Sequence, residues 1–107
     1  MAKVIWEDNA TIVLLDYIEN ARVEYGNSTV KRWQKERKSI EWRLEHYPVS
    51  YPIEEILQER SILYRCCHLM NRRFKIIYYY NESEDTVRVV DIWDTRRDPV
   101  KLARRIR

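Results

Sequence analysis

Phe74-Lys75-Ile76-Ile77-Tyr78-Tyr79-Tyr80, followed after a polar turn by Val87-Arg88-Val89-Val90-Asp91-Ile92-Trp93, decides the fold. Both runs are rich in β-branched and aromatic residues, which suit a pleated, half-buried surface. Asn81-Glu82-Ser83-Glu84-Asp85 between them reads as a hairpin loop. Upstream, Ile62 to Leu69 is a further strand, and Met70-Asn71-Arg72 turns it into the strand Arg73 to Tyr80. Thr86 to Trp93 is the last strand, and Asp94-Thr95-Arg96-Arg97-Asp98-Pro99 leads the chain away. A rigid sheet that delivers cations from strand ends is a platform for a polyanion or an acidic peptide.

Alternation divides these strands between two faces. Phe74, Ile76 and Tyr78 share one face, and Arg73, Lys75, Ile77 and Tyr79 share the other. Strict alternation sets Val90 and Ile92 against Val89, Asp91 and Trp93. The set holding Arg73, Lys75 and Asp91 is the more polar and is expected to face solvent as a free surface.

The N-terminal half is helical. Lys3-Val4-Ile5-Trp6 is a short strand, and Asp8 or Asn9 supplies an N-cap side chain. From Ala10 to Tyr25, the residues Leu14, Ile18, Ala21 and Tyr25 recur at helical spacing. Gly26 is the only glycine in the chain and stands where a left-handed residue ends a helix. Asn27 or Ser28 caps a second helix running to His46, with a seam of Val30, Trp33, Arg37, Ile40, Leu44 and Tyr47. So short a link makes an antiparallel helical hairpin. Pro48 and Pro52 break the helix, and Ile53 to Glu59 is read as a short helical turn. Val100 to Ile106 is either a helical turn or loose. The fold class is α+β, a strand and a helical hairpin packed on an antiparallel sheet in the order β-α-α-β-β-β.

At 107 residues, 45% of them hydrophobic, the chain is read as a single domain, 1–107, with one modest core. No run of apolar residues is long enough for a membrane span, and no signal-peptide core is visible, which points to the cytosol. Cys66 and Cys67 are adjacent and face opposite ways, so they suit neither a disulfide with each other nor a zinc site. No phosphate-cradling glycine loop exists, and no cofactor is expected. Charge is uneven. Residues 1–60 hold 9 Lys/Arg and 11 Asp/Glu, whereas residues 61–107 hold 11 and 6. The excess gathers at Arg96, Arg97, Lys101, Arg104, Arg105 and Arg107, which favours nucleic acid or an acidic partner.

The arrangement resembles the RelE/ParE superfamily of bacterial toxins, the toxic halves of type II toxin–antitoxin modules. The resemblance rests on Tyr64-Arg65, on Phe74-Lys75-Ile76-Ile77-Tyr78, and on Val89 to Pro99 with its Arg96-Arg97-Asp98-Pro99 ending. It implies a cognate antitoxin as partner. It implies one of two activities: cleavage of messenger RNA on the ribosome, or inhibition of DNA gyrase without nuclease activity. Asp94 stands where RelE-like nucleases often carry a histidine, and Thr95 replaces the family's glycine. Other classes stay open, namely a non-catalytic binding module on this fold or a small basic RNA-binding domain.

Metal-independent RNA cleavage needs a base for the 2′-hydroxyl, an acid for the leaving oxygen, and cations for the phosphorane. Arg65, Lys75, Arg96 and Arg97 are the candidate cations, expected near one sheet edge; their plainer reading is a solvated or partner-binding surface. Asp94 is the candidate proton-transfer group. Beside Arg96 and Arg97 its pKa should fall, which suits an ion pair or turn cap better than a base. His68 is a second candidate, and His46 is read as a helix-end cation. The run Tyr78-Tyr79-Tyr80 offers stacking surfaces if exposed and sheet packing otherwise.

Overall fold

The computed structural model describes residues 1–106. Its elements, in chain order, are β1 (Lys3–Trp6), α1 (Asp8–Tyr25), α2 (Asn27–His46), a 3-10 turn (Glu55–Leu57), β2 (Tyr64–Leu69), β3 (Phe74–Asn81), β4 (Thr86–Asp94) and α3 (Pro99–Arg105). The expected order of strands and helices is therefore present, and the last basic segment is helical; Arg107 lies outside the described residues. None of the described helices is long and apolar enough to cross a membrane.

One sheet holds the four strands in the order β1-β4-β3-β2. β2, β3 and β4 form an antiparallel meander, and β1 adds to β4 in parallel, Lys3 beside Thr86 and Trp6 beside Val89. The outer edge of β2 is partly closed by its own chain. Cys66 donates its amide to the Pro52 carbonyl at 3.0 Å, Glu54 donates to the Tyr64 carbonyl at 2.9 Å, and Ile53 bridges Arg65.

The register of β3 on β4 shifts between Ile77 and Tyr78: Ile77 faces Asp91, while Tyr78 faces Val89. Val90 is thus an inserted residue, a β-bulge. It breaks the alternation predicted for β4. Val89 and Ile92 now share a face, and Asp91 and Trp93 share the other.

The helical hairpin covers the first face. Ala10 and Leu14 of α1 and Trp33, Ile40 and Leu44 of α2 pack on Cys67, Leu69, Ile76, Tyr78, Val87, Val89 and Ile92. The predicted seam stops short at both ends, for Tyr25 and Tyr47 are exposed. Gly26, at φ 90°, ends α1 by donating to the Arg22 carbonyl, and α2 begins at the next residue. Asp8 and Asn9 both lie inside the first turn of α1, so neither is the cap; Glu7 holds that position, without a side-chain bond.

The second face is not the free surface expected from its polar residues. Leu57 of the 3-10 turn and Leu102 and Ile106 around α3 close over Tyr64, Cys66, Ile77 and Trp93, forming a second apolar cluster. Asp98 starts α3 by accepting the Val100 amide, with Pro99 in the first turn. Arg60 ties down its far end by donating to the carbonyls of Ala103 and Ile106. Asp91 is 1% exposed, and its carboxylate accepts from the Arg105 guanidinium at 2.7 Å. Two polar residues that pattern alone assigns to solvent thus anchor a lid.

Arg105→Ala leaves the Asp91 carboxylate buried without its cation and destabilises the fold by roughly 3 kcal/mol in urea unfolding. Burial already holds Asp91 above the ordinary carboxylate range although Arg105 pulls the other way. A raised folded-state pKa means that protonation favours the folded chain. The variant's deficit is therefore largest at neutral pH and shrinks as pH falls through the acidic range. A deficit independent of pH would remove the pair from this role.

Candidate functional site

The turn between β2 and β3 is the most strained backbone in the molecule. Met70, Asn71 and Arg72 have φ of 54°, 56° and 65°, three consecutive non-glycine residues in the left-handed region. Each costs about 1 kcal/mol or more unless its surroundings hold it there. They do. The Met70 amide donates to Glu36 Oε1 at 2.8 Å, and Arg32 donates to Asn71 Oδ1 at 2.9 Å, both from α2. From the other side, the Thr95 hydroxyl donates to the carbonyls of Arg72 and Arg73. Thr95, the residue where the glycine of the resembled pattern is replaced, acts as a clamp.

This turn delivers Arg72, exposed, to the rim of the second face. There His68 of β2 sits directly across from Lys75 of β3, which sits across from Trp93 of β4. The three share that face in one row: α3 covers Trp93 and leaves the His68 and Lys75 end partly open. Lys75 Nζ lies 2.7 Å from Glu54 Oε2, and the two side chains are 16% and 6% exposed. Arg97 is exposed and lies over the Trp93 ring at 4.5 Å, extending the row beyond β4. Burial, with Arg72 and Lys75 nearby, holds His68 below the ordinary imidazole pKa. At neutral pH it is therefore an uncharged imidazole between cations, able to accept a proton. The thiols are poor nucleophiles here: burial, with Glu54 nearby, pushes Cys66 up to about 12, and burial pushes Cys67 up as well.

The five candidates from sequence do not meet in one cluster. Lys75 and Arg97 belong to the row just described. Arg65 lies on the opposite, helix-packed face beside Tyr78, half-buried, and donates to the Tyr51 carbonyl at 2.8 Å. Asp94 also turns to the helix side, across from Phe74. It accepts from the Arg96 amide at 3.0 Å and pairs with the Arg96 guanidinium at 3.1 Å. Although partial burial opposes it, the Arg96 contacts and the nearby Arg73 hold Asp94 below the usual carboxylate range. Their separation follows from the pleat: Arg65 and His68 are three residues apart on one strand, so they take opposite faces. His68, the second proton-transfer candidate, and Arg72, which the sequence reading places in a turn, are the groups the fold brings beside Lys75. The cross-strand pairing of His68 with Lys75 follows from a four-residue turn, 70–73, between Leu69 and Phe74; the three-residue turn expected from sequence would have set His68 against Phe74. His46, assigned to the helix end, donates through Nδ1–H to the Trp42 carbonyl at 2.8 Å and stacks on the Trp42 ring. Among the described residues no group of three or more His, Cys, Asp or Glu is placed to hold a metal ion.

No protein-family model matches the sequence, and no curated protein matches it. Solved structures do. One is the crystal structure of the isolated E. coli RelE toxin, 15% identical, with full coverage of both chains and a TM-score of 0.56. The chain therefore shares the fold of that RelE structure, a likeness of architecture.

Arg72→Gly separates the two roles of the turn. It relieves a left-handed backbone and raises stability in urea by up to about 1 kcal/mol. It also removes a cation facing His68, so the imidazole pKa read by NMR titration rises. An unchanged His68 titration would place Arg72 away from this site.

Proposed function

We propose that this chain is the toxin of a type II toxin–antitoxin pair and that it blocks translation by cutting messenger RNA on the ribosome, in the cytoplasm. The row of His68, Lys75 and Arg72 at the uncovered rim of the second sheet face carries this reading. The shared fold supports it at the level of architecture.

In this reading, neutral His68 takes the proton from the attacking 2′-hydroxyl, the new 2′-O–P bond forms as the P–O5′ bond breaks to leave a 2′,3′-cyclic phosphate, and the leaving 5′-oxygen takes a proton from solvent water. Arg72 and Lys75 stabilise the negative charge that builds on the phosphorane, as positioned cations do in a partly dry site. Glu54 holds the Lys75 ammonium in place, and a phosphate approaching the row competes for it. Arg97, over Trp93, binds the strand beyond the scissile bond. Asp94 and Arg96 neutralise each other and shape the exit of β4, while Arg65 fastens the loop at Tyr51.

An antitoxin is the expected protein partner. α1 leaves Ile12, Leu15 and Val23 exposed at 67%, 59% and 72%, an apolar stripe on the outer side of the hairpin. A partner helix or strand that covers this stripe gains apolar burial on binding.

Induced expression of the chain alone should arrest growth, and His68→Ala or Lys75→Ala should relieve the arrest. A loss of about 100-fold or more in cleavage rate is the ordinary consequence of removing a general base. Cuts within translated codons, mapped by primer extension, are the expected signature. Arrested growth with intact message and DNA-damage signalling would instead indicate a gyrase-directed toxin. Unimpaired growth would sink the toxin reading altogether.

A further inference from the structure

A cavity of about 730 Å³ lies on the other side of the sheet, at the open end of the helical hairpin. Tyr17 and Tyr25 of α1, Arg32 of α2, Arg73 and Phe74 at the start of β3, and Arg96 after β4 are among its walls. A volume of this size is typical of small-molecule sites. The Phe74 ring forms an aromatic wall with Tyr17 and Trp33, at centroid distances of 4.6 and 4.7 Å.

Three guanidiniums meet here, and they are not equivalent. Arg32 is satisfied by Glu36 and Asn71, and Arg96 by Asp94. Arg73 is not. Its Nε is buried and has no acceptor among the described residues, and Arg73 joins none of their ion pairs. Its guanidinium carbon lies 5.6 Å from the Phe74 ring centroid. A buried N–H with no acceptor is costly to maintain, and the acidic residues that also line the cavity leave it unmet: Asp94, whose carboxyl the nearby Arg73 helps hold down, is bonded by Arg96, and Glu24 makes no ion pair with Arg73 among the described residues. The uncapped start of α2 adds positive potential on the same side, since Thr29 lines the cavity and its first turn holds no acidic residue.

We propose that this cleft binds a nucleotide unit, with the phosphate on the Arg73 guanidinium and the base against the aromatic wall, Tyr25 closing the rim. A planar fork of donors suits phosphate oxygens, and an aromatic wall suits any base face. The unit is either a free nucleoside monophosphate or the phosphorylated end of an RNA strand. This site is on the opposite face from His68 and Lys75, so it stands or falls independently of the cleavage reading.

Isothermal titration of the full chain tests it with adenosine 5′-monophosphate, adenosine and inorganic phosphate as probes. The monophosphate should bind with a Kd of roughly 1 mM or tighter, and each fragment about tenfold more weakly. Arg73→Gln should weaken the monophosphate about tenfold or more, Arg73→Lys should weaken it less, and Lys101→Ala, on the exposed side of α3, should leave it unchanged. Thermal unfolding checks that each variant is folded. A 5′-phosphorylated dinucleotide that binds more tightly than the monophosphate identifies a strand end; equal or weaker binding identifies the free nucleotide. No heat with the monophosphate at several times that concentration, or undiminished binding by a folded Arg73→Gln or Arg73→Lys variant, would overturn the proposal.

Discussion

β4 carries one residue more than its partner needs, and the arrangement of the molecule depends on that surplus. Val90 bulges out of the ladder. Before it, Val87 and Val89 point at the helices. After it, Ile92 rejoins them, while Asp91 and Trp93 are delivered to the other face. Without the bulge, the second half of the strand would present its side chains inverted. Ile92 would leave the helix-side core and Asp91 would enter it. The bulge thus lets a single strand supply an apolar core on one side and an ion-paired, aromatic floor on the other.

The second floor explains why the sheet is a sandwich rather than a half-covered layer. Trp93 and Ile77 need a cover, and Leu57, Leu102 and Ile106 provide one. The ion pair between buried Asp91 and solvent-exposed Arg105 then fixes the angle of α3. Such a pair is weak as a source of net stability but strict about geometry, since either partner left alone is costly. The cover stops short of His68 and Lys75. Local strain gathers at this gap, in the three left-handed residues that bring Arg72 to it. Strain held by Glu36, Arg32 and Thr95 is what a site that must keep a cation in place would show.

Much of the architecture was legible in the sequence. The strands read from β-formers and the hairpin from helical spacing around the only glycine, whereas the segment after Pro99 stays open between a helical turn and a loose end. The fold class followed from their order. The face assignments of β3 were equally readable, because Phe74 to Tyr80 alternates without interruption. Those of β4 were not, because nothing in Val89-Val90 marks which valine is inserted; that is decided by packing against β3. For the same reason Asp91 read as a solvent residue. Its partner Arg105 is fourteen positions away in a segment whose docking is not visible. The candidate cations were expected near one sheet edge, and the fold divides them. Lys75 and Arg97 share a face, whereas Arg65, Asp94 and Arg96 stand on the other. The neighbour that gives His68 its setting lies across the strand, in Lys75, rather than along it.

The short stretch Pro52 to Glu54 has a further consequence. By pairing with Tyr64 and Cys66 it occupies part of the outer edge of β2, and β1 at the opposite side is only four residues long. Little continuous ladder is left for another chain to extend. A protein built around three strands so rich in tyrosine, isoleucine and valine would otherwise invite fibrous stacking when it accumulates without company. Sealed at one border and curtailed at the other, the sheet resists templated polymerisation, so a crowded solution of the lone chain should remain dispersed.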